Sequence, residues 1–372
     1  MVLSTLPALP SQAAPTPDGS TRVRGDQWHL RYLRAAEAQR VSQGEGVVVA
    51  VPDTGVDPHP DLVNNLLAGA DMIPGGGGDG RRDENSHGTC MAGLIAAHGR
   101  GDIGALGIAP KAKILPIYDT PPNGLGQPDD LAKSIEYAVR NGADVLSVST
   151  TGSPTVAMQQ AIETALNSDV VVVAGAGNAP REDRVSYPAS ADGVIAVGGV
   201  DSRGRHAEVS VTGPEVDVVA PAVGIYCTSM NGRYRESTGT SDATAIVAGA
   251  VALIRAKYPD LPASEVVHRL TATAVDKGPP GRDDEYGYGV IDLVAALTAD
   301  VPPLPPDWAT ATPPSNTTPA TTVAAEPAGD GSDDNSTARG LATLGVIVAA
   351  AGGYLLWRRR RDADDPPPRI SR

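Results

Sequence analysis

The chain has 372 residues, enough for one large α/β domain with a substantial core or for two smaller ones. It is 41% hydrophobic, but aromatics make up only 3% and phenylalanine is absent, so the core has to be built from Val, Ile, Leu and Ala. A formal net charge of −14 argues against a general nucleic-acid binder and fits a soluble body with an acidic surface.

Residues 1–24 are rich in Ala, Pro, Ser and Thr. The apolar run and small-residue patch of MVLSTLPALPSQAAP resemble a signal-peptide remnant, although a positively charged start is missing and prolines interrupt it. From 25 to 298 short β-branched runs alternate with helical periodicity. Candidate strands are GVVVAV (46–51), KILPIY (113–118), ADVLSVS (143–149), VVVVAG (170–175) and GVIAVG (193–198), all nearly continuous apolar runs of the kind parallel strands need when both faces are buried. The stretch 69–85, GADMIPGGGGDGRRDEN, is expected to be a flexible, solvated insert. A helix is expected at 129–141, where Leu131, Ile135, Ala138 and Val139 share a face and Asn141-Gly142 closes it. A second is expected at 153–167, with Ser153 as cap and Pro154 in the first turn. A third runs from about Ser241 to Lys257. Strand alternating with helix gives an α/β fold, a doubly wound, mostly parallel sheet flanked by helices.

Residues 299–339 are Pro/Thr/Ala-rich and then acidic, too poor in apolar residues to fold alone. As an extended tether, about 38 such residues reach roughly 120 Å. GLATLGVIVAAAGGYLLW (340–357) carries no charge and, as a helix, spans about 27 Å, enough for a bilayer core. Tyr354 and Trp357 sit at its basic end, and the tail 358–372 opens with Arg358 to Arg361, which places the C-terminus in the cytoplasm and the folded body outside the membrane.

Four residues stand at places suited to chemistry. Asp53 and Asn178 each follow a buried strand, and ligands gather at the carboxyl ends of strands in open α/β sheets. The Asp-Thr-Gly around Asp53 also occurs in aspartic proteases, but no second such loop follows another strand. His87, in NSHGTCMAGLIAAHG, is the one histidine of six in a setting built for chemistry, with Gly88 allowing close backbone approach. Ser241 stands in GTSDATAIVAGAVALI at the head of an almost wholly apolar helix. A serine there is either a helix cap or a nucleophile. A serine nucleophile needs a base, a carboxylate to orient that base, and a donor for the oxyanion. His87, Asp53 and Asn178 supply those residue types.

The order Asp, His, Ser is that of subtilisin, not of chymotrypsin or the α/β-hydrolases. Residues 27–297 resemble the subtilisin-type serine proteases (subtilases) through VAVPDTGVDPHPDL, SHGTCMAGLIA, LGIAPKAKILPIY, AGAGN, VSYPASADGVIAVGGVD, GTSDATAIVAGAVALI and YGYGVIDLVAAL. The membrane-anchored layout further resembles the mycosins, subtilases associated with type VII secretion. The resemblance implies Ser241 as nucleophile, His87 as general base and then acid, Asp53 as its orienter, and Asn178 with the Ser241 N–H as oxyanion donors. It implies that Ser149, Thr150 and Thr151 pair with the substrate backbone, that the substrate is a protein or peptide, and that no cofactor is needed.

The chain also departs from the family pattern. Asp242 stands where Met is usual and Ala245 where Pro is usual. Asp242 puts a carboxylate beside the nucleophile, where it could raise the pKa of His87, repel the oxyanion, or meet a substrate group. Thr151 stands where Gly is frequent. Of the common calcium ligands Asp61 is present, but Gly101 replaces Asn, and no metal is expected. In an extracytoplasmic setting a Cys90–Cys227 bridge bracing the site is permitted, with two buried thiols as the alternative. The rival to an active peptidase is a catalytically silent scaffold of the same fold.

Overall fold

The protein was analysed as a computed structural model, which describes residues 19–305 except Leu125. The segment 340–357, most of 299–339, the tail 358–372 and residues 1–18 lie outside the described residues. Among those described, no helix is long and apolar enough to cross a membrane.

The body is a seven-stranded sheet in which every pairing is parallel. Its strands are β1 (Val48–Asp53), β2 (Ala70–Asp71), β5 (Lys113–Tyr118), β6 (Val145–Val148), β7 (Val171–Gly175), β8 (Ile195–Val200) and β9 (Val218–Pro221), in the order β2-β5-β1-β6-β7-β8-β9. Two antiparallel hairpins stand apart, β3–β4 (His98–Arg100, Ile103–Leu106) and β10–β11 (Ile225–Ser229, Arg233–Ser237). The five expected strands are present within two residues at each end. They are buried along almost their whole length, which is why their runs are apolar without alternation.

Helices α1 (Ser20–Asp26), α2 (Trp28–Tyr32) and α3 (Ala35–Ala38) precede the sheet. The domain start expected at residue 25 therefore falls inside α1, whose Arg24 donates to the carbonyl oxygens of Gly104 and Ile103. Helix α4 (His87–Ala96) packs against α7 (Thr240–Lys257), and α5 (Pro128–Arg140) against α6 (Val156–Asn167). Two short helices, α8 (Ala263–Ala272) and α9 (Leu293–Thr298), close the body. Beyond 298 the chain stays attached: Leu304 N–H donates to Glu265 and His268 hydrogen-bonds to Pro302 O.

Helix α6 starts later than expected. Thr155, not Ser153, is the cap, its hydroxyl accepting from Met158 N–H, and Pro154 lies before the helix. Extended backbone before a proline suits a cap as well as a lead-in, so the sequence alone left the choice between Ser153 and Thr155 open.

Helix α7 is buried almost throughout, from Thr240 to Arg255 with only Ser241 partly open. It lies against β6 to β9. Burying each Val, Ile or Leu side chain there contributes about 1.5–3 kcal/mol, which fixes the helix that carries Ser241. Glycine makes the approach feasible: a Cβ on Gly175, at the end of β7, would meet the hydroxyls of Thr240 and Thr244 at 3.1 Å. The core contains no phenylalanine. Its large members are Leu62, Met91, Leu94, Ile95, Ile108 and Ile114 and their aliphatic neighbours.

Candidate active site

Asp53 ends β1 and is 1% exposed. Its carboxylate is fixed by the Thr54 N–H at 2.7 Å and by His87, whose Nδ1 lies 2.8 Å from both carboxylate oxygens. The pair meets because Gly88 lets the start of α4 press onto the β1 end. A Cβ there would lie 2.1 Å from Gly55 O and 3.2 Å from Asp53 Cβ. Burial works against a charged His87 ring, but the charge and hydrogen bond of Asp53, aided by the charge of Asp242 and opposed by Arg235, push it up to about 8.

The loop before His87 is tied down by a residue the sequence reading missed. Asp83 accepts hydrogen bonds from the Thr54 hydroxyl, from the backbone N–H groups of Asn85, Ser86 and Thr89, and from the Thr89 hydroxyl. With β2 paired to β5 and Gly80 O accepting from Val56 N–H, the stretch 69–85 is anchored at both ends rather than a free insert. A carboxylate at a helix start satisfies the otherwise orphaned N–H groups.

Ser241 is not a helix cap. Gly239 occupies the cap position with no side-chain bond, and Ser241 is the second residue of α7. Its hydroxyl donates to Ser149 O at 3.5 Å, and no hydrogen bond joins it to His87 among the described residues. Asn178 Oδ1 accepts from Thr240 N–H at 2.9 Å, which assigns the other end of its amide as the donor Nδ2. At the head of α7, Thr240 N–H goes to Asn178 and Asp242 N–H to Gly239 O. The Ser241 N–H between them has no protein acceptor among the described residues. Asp53, His87, Asn178, Ser241 and the segment Ser149–Thr151 all line one cleft of about 820 Å³.

Two more residues shape that cleft. Glu182 accepts from Asn178 N–H at 2.8 Å and from the Thr151 hydroxyl at 3.4 Å, so it ties Asn178 to the Ser149–Thr151 segment. Asp119, one residue past β5, is buried with Oδ2 unpartnered, and burial, with Asp53 and Asp130 adding, pushes its carboxyl up to about 7. It sits just past the carboxyl end of β5, beside Asp53 at the carboxyl end of the neighbouring β1, a signal the sequence held.

Cys90 and Cys227 form a disulfide, joining α4 one turn after His87 to β10. The Asp61 position, where the family resemblance places a calcium ligand, does not fit a cation. The Asp61 carboxylate is fully buried and already holds Arg100 Nε at 2.8 Å, the Tyr234 hydroxyl at 2.6 Å and Ala105 N–H at 2.7 Å. A guanidinium supplies the positive charge there.

The sequence matches the Subtilase family over residues 44–289. Subtilisin DY of Bacillus licheniformis is 40% identical over 259 residues, 68% of this chain and 92% of that protein. A thermostable alkaline protease of Halalkalibacterium halodurans is 37% identical over 268 residues, 71% of each chain. Among solved structures, MycP1 with its N-terminal propeptide removed is 31% identical with a TM-score of 0.69, covering 75% of this chain and 98% of that one. MycP1 from the ESX-1 type VII secretion system is 30% identical with a TM-score of 0.68, covering 75% and 86%. The chain belongs to the subtilase family of serine endopeptidases.

Proposed function

We propose that this protein is a membrane-tethered endopeptidase that cleaves protein substrates through Ser241, His87 and Asp53, working outside the cytoplasmic membrane beside a type VII secretion system. The observation that carries the chemistry is the Asp53–His87 pair at 2.8 Å in the cleft that also holds Ser241 and Asn178. A substrate strand laid along Ser149–Thr151 competes for the Ser149 carbonyl and frees the Ser241 hydroxyl to turn to His87 Nε2. His87 then takes the proton as Oγ bonds to the scissile carbonyl carbon. Asp53 holds the Nδ1–H tautomer and stabilises the imidazolium. Asn178 Nδ2 and the Ser241 N–H donate to the tetrahedral oxygen, with the positive end of α7 behind them. The imidazolium returns the proton to the leaving amine, and water repeats the sequence on the acyl-enzyme.

The tether is the uncharged segment 340–357 followed by four arginines, which orients the C-terminus to the cytoplasm. The Cys90–Cys227 bridge supports an oxidising compartment for the body. The likeness to MycP1 supports the secretion role. Terminal proteomics of the cell envelope, with wild type and Ser241→Ala compared, tests the function: cleavage products present only with the wild type are expected, and identical termini would refute it. Truncation after residue 339 should release the protein from the membrane fraction. Retention would refute the tether.

A further inference from the structure

We propose that Asp242 is a positioning residue for the reaction, a buried carboxyl beside the nucleophile that shares a proton equilibrium with His87 and so sets the pH range in which that imidazole is a free base. This rests on the triad reading given above. Asp242 follows Ser241 in the first turn of α7, is 0% exposed, and lines the same cleft as His87. Its Oδ2 has no hydrogen-bond partner. Its Oδ1 lies 3.7 Å from Cys90 Sγ, one turn past His87 on α4. Because that sulfur is in the disulfide and carries no proton, this is a packing contact and not a hydrogen bond. Asp242 is therefore held against the helix that carries the base without a donor of its own there.

The charged groups that act on it are His87 from α4 and Arg235 from β11, and His87 is itself bound through Nδ1 to Asp53. Burial pushes the Asp242 carboxyl up to about 7, against the pull of Ser237, His87 and Arg235 toward the ionised form. Asp242 in turn favours the charged His87 ring. Loss of either group's proton thus makes the other's harder to remove, and the pair loses its two protons in two overlapping steps. While Asp242 is ionised, His87 holds its proton to higher pH than Asp53 alone would impose. When Asp242 keeps the shared proton instead, His87 is free and no second negative charge stands beside the developing oxyanion. Methionine at this position would leave His87 under Asp53 and the opposing Arg235 alone.

The test is kcat/KM against pH for the full-length protein in detergent, with Asp242→Asn and Asp242→Met. The acid limb of the wild type should be broader than a one-proton curve. In both variants its midpoint should fall by about half a pH unit and the limb should sharpen to one proton. The pH dependence of fluorophosphonate labelling of Ser241, which needs no turnover, should shift in parallel. Asp183→Asn, at a highly exposed carboxylate, should shift neither. An unmoved or raised midpoint in either variant that keeps the wild-type circular dichroism spectrum would overturn the proposal. If the wild type shows no labelling of Ser241 at any pH, the triad reading fails and this inference with it; labelling that occurs but does not shift sinks the inference alone.

Discussion

The Cys90–Cys227 bridge closes a sequence separation of 137 residues. In the chain-entropy account, cross-linking over that length removes about 17 cal/mol/K from the unfolded ensemble, or about 5 kcal/mol at 25 °C. Both sulfurs are fully buried between α4 and β10, so the folded state has little room to relax when the link is cut. Replacing both residues by alanine would also remove two buried sulfur atoms and confuse cross-link with cavity. The cleaner comparison is oxidised against fully reduced wild type, with Cys90→Ala/Cys227→Ala as a third sample. Equilibrium urea unfolding, followed by tryptophan fluorescence, should show the reduced protein less stable by about 3–5 kcal/mol. The reduced protein should also lose activity before it unfolds, because the link joins the helix of His87 to the hairpin that leads into Ser241. A reduced protein within about 1 kcal/mol of the oxidised form would refute the argument.

Asn178→Ala should lower kcat by about 10²–10³ with little change in KM. That size is the one known for an oxyanion donor of a subtilisin and is carried over rather than worked out from this cleft; an unchanged kcat would mean that another group holds the oxyanion. Asp119→Asn should stabilise the protein above neutral pH. The folded carboxyl titrates near 7 instead of 3.8, so its contribution is full below about 3.8 and drains away as pH rises through about 7, by at most about 4 kcal/mol. Melting temperatures from pH 5 to 9 check this: the wild type should fall relative to the variant, and parallel curves would contradict it. Arg100→Met should cost about 3–5 kcal/mol by stranding the Asp61 carboxylate. Excess EDTA should leave the wild-type melting temperature where it was. A large drop with chelator, abolished in Asp61→Asn, would show that Asp61 serves a metal after all.

What the sequence disclosed follows from what each segment buries. The central strands were legible because both faces are covered, which forces unbroken Val, Ile and Ala runs. Strand β11 was not, since RYRES pairs only with β10 and presents mostly polar side chains. Strand β2 has two residues and no pattern to detect. Helix α1, STRVRGD, buries only Ser20 and Val23 and so looked like leader sequence. At the site, Asp53 and His87 lie 34 residues apart, and nothing local couples them; only the family motifs did. Asp83 was hidden by the glycine run upstream of it, which suggested mobility where a helix start is being capped. The orientation of Ser241 toward Ser149 O depends on a packed helix and an adjacent strand end, and no spacing rule reports it.

The central claim is that Ser241 is a nucleophile activated by His87 and Asp53. Labelling the intact protein with a fluorophosphonate and locating the adduct by peptide mass spectrometry tests it most directly. A single adduct on Ser241, lost in His87→Ala and much slowed in Asp53→Asn, is the predicted result. Folded wild-type protein that carries no adduct on Ser241, or that labels as fast without His87, would contradict it.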